Sequence, residues 1–77
     1  MTGARRAILT HLRNQMTALE TDLVWLTRQE KEEFDHLPDT TEGGEYVEQM
    51  EDEIQALELA IVSSAKLIEC VQAALDR

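Results

Sequence analysis

The residues with the clearest spacing for chemistry are two carboxylates and a histidine near the middle of the chain. Glu33 and His36 stand three positions apart, the Glu-x-x-His spacing with which helix bundles present metal ligands to their interior, and Glu30 lies one turn earlier. A bundle site needs a second copy of this motif, and the second half of the sequence has none. We therefore expect no metal and no cofactor, and we expect Glu30 and Glu33 to reach water.

The one cysteine and the other histidine offer little for catalysis. Cys70 follows Glu69, whose negative charge opposes formation of a reactive thiolate. His11 has no ionisable partner at a useful spacing, and the chain has no Gly-rich phosphate loop and no Cys-x-x-Cys pair. We expect no catalytic residues, and hence a protein that is not an enzyme.

Three arginines lie near the start of the chain, within 19 residues that contain no acid: Arg5, Arg6 and Arg13. Thr2 or Gly3 can cap a helix there, and helix N-termini attract anions. Arginines at such a place can also form charge-assisted hydrogen bonds with phosphate. Two interpretations stay open: ordinary surface arginines, or a site for an anionic ligand such as a nucleotide.

Apolar residues at alternating steps of three and four predict a first helix from about residue 4 to about residue 36. The predicted face consists of Leu9, Leu12, Met16, Leu19, Leu23 and Leu26. The same spacing then reaches Glu30 and Glu33, where Phe34 and Leu37 take over from a position displaced around the helix.

A second helix is predicted from about residue 45 to about residue 76, after a turn over about 37–44. Pro38 should end the first helix, and Asp39 with Glu42 has the spacing of a capping box. The second helix has the more regular apolar face: Val47, Met50, Ile54, Leu57, Ile61, Ser64, Ile68, Val71 and Leu75.

Two rods of similar length joined by a short turn predict an all-α antiparallel two-helix hairpin, a single coiled-coil-like domain over 1–77. A turn centred near residue 40 would place Met16 opposite Ser64. Seventy-seven residues bury a small core, and one cysteine cannot form an internal disulfide. Oligomerisation is the remaining way to stabilise the fold, so we expect a homo-oligomer, most simply a dimeric four-helix bundle.

Several apolar residues fall outside both predicted faces. Two interpretations of them stay open: scattered surface residues, or an oligomer interface. A hairpin of two helices cannot bury a tryptophan on its own, which favours the interface. The predicted interface residues are Val24, Trp25, Leu59, Val62 and Leu67.

The charge is strongly uneven. The net charge is −9, and the segment from Glu30 to Glu58 holds twelve acids and one base, Lys31. In a hairpin this segment forms one end of the rod, which we call the acidic end. It either keeps the chain solvated or binds a basic partner, and the contact residues we predict are Glu42, Glu45, Glu48, Glu51, Asp52 and Glu53. The charge argues against direct binding to nucleic acid or to an anionic membrane.

No segment has the length and apolarity of a membrane span, and the first 19 residues lack the apolar core of a secretory signal. We therefore expect a cytoplasmic protein.

The central stretch reads FDHLPDTTEGGEYVEQMEDEIQALELAI. It resembles short uncharacterised helical proteins of bacteriophages and prophages, in which an acidic helix, an acidic linker and a helix rich in Glu, Met and Ile follow one another. The matching positions are Phe34, Asp35, Leu37, Pro38, Glu45, Glu48, Met50 and Ile54. His36 stands where Asn is usual, and Gly43 and Gly44 depart from the linker. The resemblance implies a helical hairpin from a phage or mobile element, located in the host cytoplasm, and no established activity.

Three functions follow from these features. The first is a non-enzymatic inhibitor from a phage or mobile element whose acidic end docks on a basic, nucleic-acid-binding host protein. The second is an oligomer that sequesters a nucleotide or another anionic ligand. The third is a structural assembly adaptor, in which the apolar residues matter and the charges do not.

Overall fold

A computed structural model describes residues 1–37 and 44–77, and at Glu45 the backbone alone. Two helices account for nearly all of them: α1 spans Gly3–Asp35 and α2 spans Glu45–Leu75. They pack against each other, as the spacing of the apolar residues predicts, and the described residues include no strand. Neither helix carries an apolar stretch able to cross a membrane.

The first helix is capped at both ends. The Thr2 hydroxyl accepts a hydrogen bond from the backbone N–H of Arg5 at 3.2 Å, which confirms Thr2 as the N-cap. The helix ends at Asp35, and the N–H of His36 donates to the Glu32 carbonyl at 3.1 Å. The chain therefore leaves the helix shortly before the proline, as expected for the residues that precede one.

The second helix begins without a side-chain cap. Gly44 is its N-cap, with extended backbone angles and no side-chain hydrogen bond. Pro38 and the predicted capping box of Asp39 and Glu42 lie outside the described residues.

Two side-chain contacts between the helices fix their orientation and register. Arg13 Nη1 donates to Gln72 Oε1 at 2.6 Å, and Ser64 Oγ donates to Glu20 Oε2 at 3.4 Å. Residues early in α1 therefore meet residues late in α2, so the pair is antiparallel. The predicted register, with Met16 opposite Ser64, is displaced by about one turn, because that prediction relied on the centre of the turn and ignored these polar contacts.

The face of α1 that meets α2 differs from the predicted one. Leu9, Met16 and Leu23 are half-buried, as expected. Leu12, Leu19 and Leu26 are instead exposed, which corrects the prediction. The column that replaces them, with members seven residues apart, consists of Arg6, Arg13, Glu20, Thr27 and Phe34. We call its first four members the polar column.

The exchange of columns has a physical cause. Phe34 is a large aromatic residue, and it is half-buried beside Ile54 and Glu51. Because residues seven apart align along a packed helix, burying Phe34 turns the polar column toward α2. The arginines and Glu20 then find hydrogen-bond partners there, so burial leaves none of the polar column's side-chain atoms unsatisfied among the described residues.

The predicted face of α2 agrees with the structure, since every position in it is buried or half-buried. The core is nevertheless thin. Its buried apolar residues are Met50, Ile54 and Leu75, and the buried polar residue is Thr27. The rod measures 60 × 14 × 14 Å and exposes 5885 Å². A compact monomer of 8.8 kDa exposes about 4,800 Å², so this chain exposes roughly 1,100 Å² more than such a monomer.

Candidate functional site

The rod has two long flanks, one on each side of the contact between the helices. The leucine flank is formed by Leu12, Leu19 and Leu26 of α1 with Ala60, Leu67 and Ala74 of α2. The polar flank is formed by Thr10, Thr17, Val24 and Lys31 of α1 with Glu51, Glu58 and Ala65 of α2. Within each set the residues of one helix stand seven apart, so they lie in line along the rod.

The leucine flank exposes several apolar side chains in line. Leu19, at its centre, is 56% exposed, and Leu67 of α2 is exposed as well. Further along, Leu26 lines a groove of about 400 Å³ with Ala56 and Leu57. Glu30 and Glu53 border that groove, so the apolar surface ends at carboxylates toward the turn. An apolar strip with charged borders has the composition of an interaction surface.

Charged side chains lie across the polar flank. Lys31 Nζ lies 3.6 Å from Glu58 Oε1, and half of each side chain is exposed. Beside this ion pair, Val24 and Val62 line a cleft of about 370 Å³ whose wall includes Arg28. The apolar surface here is a single patch between charges.

The predicted oligomer interface is divided among these surfaces. Val24 and Val62 share the cleft of the polar flank, and Leu67 belongs to the leucine flank. Trp25 and Leu59 are exposed and belong to neither flank. All five side chains are exposed, but the structure does not bring them into one surface.

The acidic end presents its carboxylates to solvent. Glu48, Glu51, Asp52 and Glu53 are all exposed along the first turns of α2. Of the predicted contact residues, Glu42 and the side chain of Glu45 lie outside the described part of the chain. Within that part, the ion pair between Lys31 and Glu58 is the one salt bridge.

The three arginines do not converge. The Arg6 guanidinium donates to the backbone carbonyl oxygen of Leu75, at the end of α2. Arg13 donates to Gln72 and, through Nη2, to Asn14 Oδ1 at 3.1 Å. Arg5 lies one column away from them and is exposed. Arg6 and Arg13 therefore hold the hairpin together, while Arg5 points elsewhere.

The residues considered for chemistry are dispersed. Glu33 is exposed, and His36 Nδ1 lies 2.6 Å from the carbonyl oxygen of Glu32. Cys70 is a free, exposed thiol, and His11 is exposed. Over residues 1–37 and 44–77, no group of three or more His, Cys, Asp and Glu side chains could hold a metal ion.

The leucine flank is the surface that sequence reasoning missed. The alternating steps of three and four predict an inner position for Leu12, Leu19 and Leu26. The contrary signal is Phe34, which aligns with Thr27 and not with Leu26. If Phe34 is taken as the inner residue nearest the turn, the spacing predicts that the three leucines are exposed.

The sequence and the fold carry no resemblance that assigns a family. No protein-family model matches the chain, and neither the curated proteins nor the solved structures contain a significant match.

Proposed function

We propose that this protein acts by binding another macromolecule and not by catalysis, with its acidic end as the contact for a basic partner. The observation that carries the proposal is the exposure of Glu48, Glu51, Asp52 and Glu53 on one short stretch of helix. Crowded carboxylates repel one another and cost stability, so their concentration at one end is better explained by a use than by solubility alone.

The chemistry of this surface suits a protein that itself binds nucleic acid. Carboxylates held on a rigid helix resemble a row of phosphates, and a basic groove would attract both. The concrete form of the proposal is an inhibitor that occupies such a groove in the cytoplasm of a host cell. The resemblance of the central stretch to phage and prophage proteins supports this form.

The working form we propose is a homodimer arranged as a four-helix bundle. Its support is the roughly 1,100 Å² of surface exposed beyond that of a compact monomer. A standard interface buries about 800 Å² on each partner, so the surplus is enough for one.

Neutralising the acidic end tests the proposed contact. The test variant carries Glu48→Gln, Glu51→Gln and Asp52→Asn. The control carries Asp22→Asn, Glu69→Gln and Asp76→Asn, which removes the same charge from acids outside the acidic end. Each protein is immobilised and then incubated with nuclease-treated bacterial extract. The captured proteins are quantified by mass spectrometry.

We expect the unchanged protein and the control to capture a common basic protein that duplex DNA elutes. The test variant should lose at least nine-tenths of it, and rising salt should weaken capture of the rest. If both variants lost the captured protein equally, the effect would come from net charge alone. If both retained it equally, the acidic end would not be the contact.

A further inference from the structure

The leucine flank has a self-complementary order of residues. Along α1, the column that contains its leucines reads Arg5, Leu12, Leu19, Leu26 and Glu33, in equal steps of seven. A basic residue stands at one end, an acidic residue at the other, and three leucines lie between them. Such a column matches a reversed copy of itself, with Leu19 at the centre.

We propose that two copies stack through their leucine flanks with the rods reversed, so that a two-fold axis passes beside Leu19. In this arrangement α1 lies antiparallel to the α1 of the second copy. Leu19 then meets the partner's Leu19, and Leu12 meets the partner's Leu26. Arg5 meets the partner's Glu33, and the two-fold axis produces this ion pair twice. The inference rests on the proposed homodimer and gives it a face and a direction.

The charge layout favours the reversed stack over the alternative. A two-fold axis along the rods would place the two acidic ends side by side, each with twelve acids and one base in sequence. Charges that are closer than the Debye length of about 8 Å repel with little screening. Reversal instead places each acidic end beside the arginine end of the other copy.

The α2 half of the flank allows close approach. Its residues beside the three leucines are small except for Leu67 and, toward the turn, Glu53, with Ala56 in the groove beside Leu26 and Ala60 and Ala74 half-buried. Beyond Glu53, Leu67 is therefore the one large side chain of this α2 column up to Ala74. The same stack leaves Glu48, Glu51 and Asp52 off the α2 column that contains Ala60, Leu67 and Ala74, whereas Glu53 lies on that column.

Disulfide trapping tests the arrangement in the full chain. Cys70→Ser removes the native thiol, and Leu19→Cys then places one thiol where the two-fold axis is proposed. We expect this variant to form a covalent dimer under mild oxidation. Thr17→Cys, on the polar flank, is the matched control and should give less than a tenth of that yield.

Mixing separate variants tests the direction. Leu12→Cys alone and Leu26→Cys alone should cross-link poorly, and an equal mixture of the two should cross-link at least five-fold better. A charge exchange gives a second measurement: Arg5→Glu or Glu33→Arg should weaken association at least ten-fold, and the double exchange should restore it. Arg28→Glu, on an exposed face away from the flank, serves as the charge control.

The outcomes separate this inference from the proposed dimer. A monomer by light scattering at every concentration tested would overturn both the dimer and its arrangement. A dimer that shows neither the Leu19→Cys cross-link nor the charge rescue would retain the homodimer and overturn the reversed stack. A tetramer, or a dimer that cross-links equally at Thr17→Cys, would also overturn it.

Discussion

The two flanks of the rod differ in what they leave exposed. The polar flank places an ion pair between Lys31 and Glu58 across the helices, and its apolar surface is one patch around Val24. The leucine flank has three leucines in line and no side-chain hydrogen bond or ion pair between the helices on the described residues. The polar flank has the mixed composition of a protein surface, whereas the leucine flank has the composition of a core.

The difference shows how the chain divides its work. The polar column of α1 holds the hairpin together, although it is the less apolar of the two columns available. The more apolar column stays exposed, and we propose it for contacts beyond the hairpin. In the proposed dimer, folding of the hairpin and association of two hairpins would depend on different residues and could be separated by mutation.

The largest expected effect comes from a charge placed at the centre of the leucine flank. Leu19→Glu removes an apolar side chain from each copy and brings two carboxylates together at the proposed axis. Burial of one leucine contributes about 1.5–3 kcal/mol, so the dissociation constant of the dimer should rise at least about 100-fold. Analytical ultracentrifugation over a concentration series measures it.

Val62→Glu is the matched control for Leu19→Glu. Val62 is 65% exposed and Leu19 is 56% exposed, and the two differ chiefly in position. We expect Val62→Glu to leave the dissociation constant within two-fold. Dissociation by both variants would show that the flanks are equivalent, and the comparison would fail.

A smaller effect is expected from the polar column. Arg6→Ala removes the cation that bonds the last turn of α2, at a cost of about 1 kcal/mol. The Tm should fall by about 4–8 °C in a domain of this size, at fixed protein concentration. The assembled mass measured by light scattering should not change.

Arg28→Ala controls for loss of an arginine, because Arg28 makes no salt bridge within the described residues. Its Tm should stay within about 1 °C of that of the unchanged protein. If Arg6→Ala dissociated the dimer without destabilising the hairpin, the division of work between the two columns would be wrong.

The smallest expected effect comes from a change at Thr27 in the polar column. Thr27 is 4% exposed, and its hydroxyl donates to the Leu23 carbonyl of its own helix at 2.7 Å. Since this bond does not reach α2, Thr27→Val should stabilise the hairpin by about 0.5 kcal/mol. Thermal unfolding measures it, and a clear fall in Tm would show that the hydroxyl supports the packing.

Much of the fold was predictable from local spacing. The faces of both helices repeat every seven residues, and Thr2 is a strong cap, so two packed helices with a defined start followed from the sequence. The α2 face was also predictable, because no second apolar column competes with it.

The side of α1 that faces α2 was not predictable from apolarity. Leu12 and Arg13 stand on either side of the same central column, and a leucine is the usual inner residue. The structure selects Arg13 because Gln72 meets it and because Phe34 fixes the rotation of the helix near the turn. Both reasons involve residues distant in sequence, so a single-helix pattern does not contain them. Val24 and Trp25 are exposed, and their place in an oligomer interface stays a prediction.

The contact of Arg6 with Leu75 has a consequence for motion at the open end of the rod. The last carbonyls of a helix normally bond to water, and the terminal turns open most easily. Here one guanidinium from the fourth residue of α1 reaches the final residue of α2. Opening either end therefore breaks the same bond, so amide hydrogens in the first turns of α1 and the last turn of α2 should exchange with solvent together.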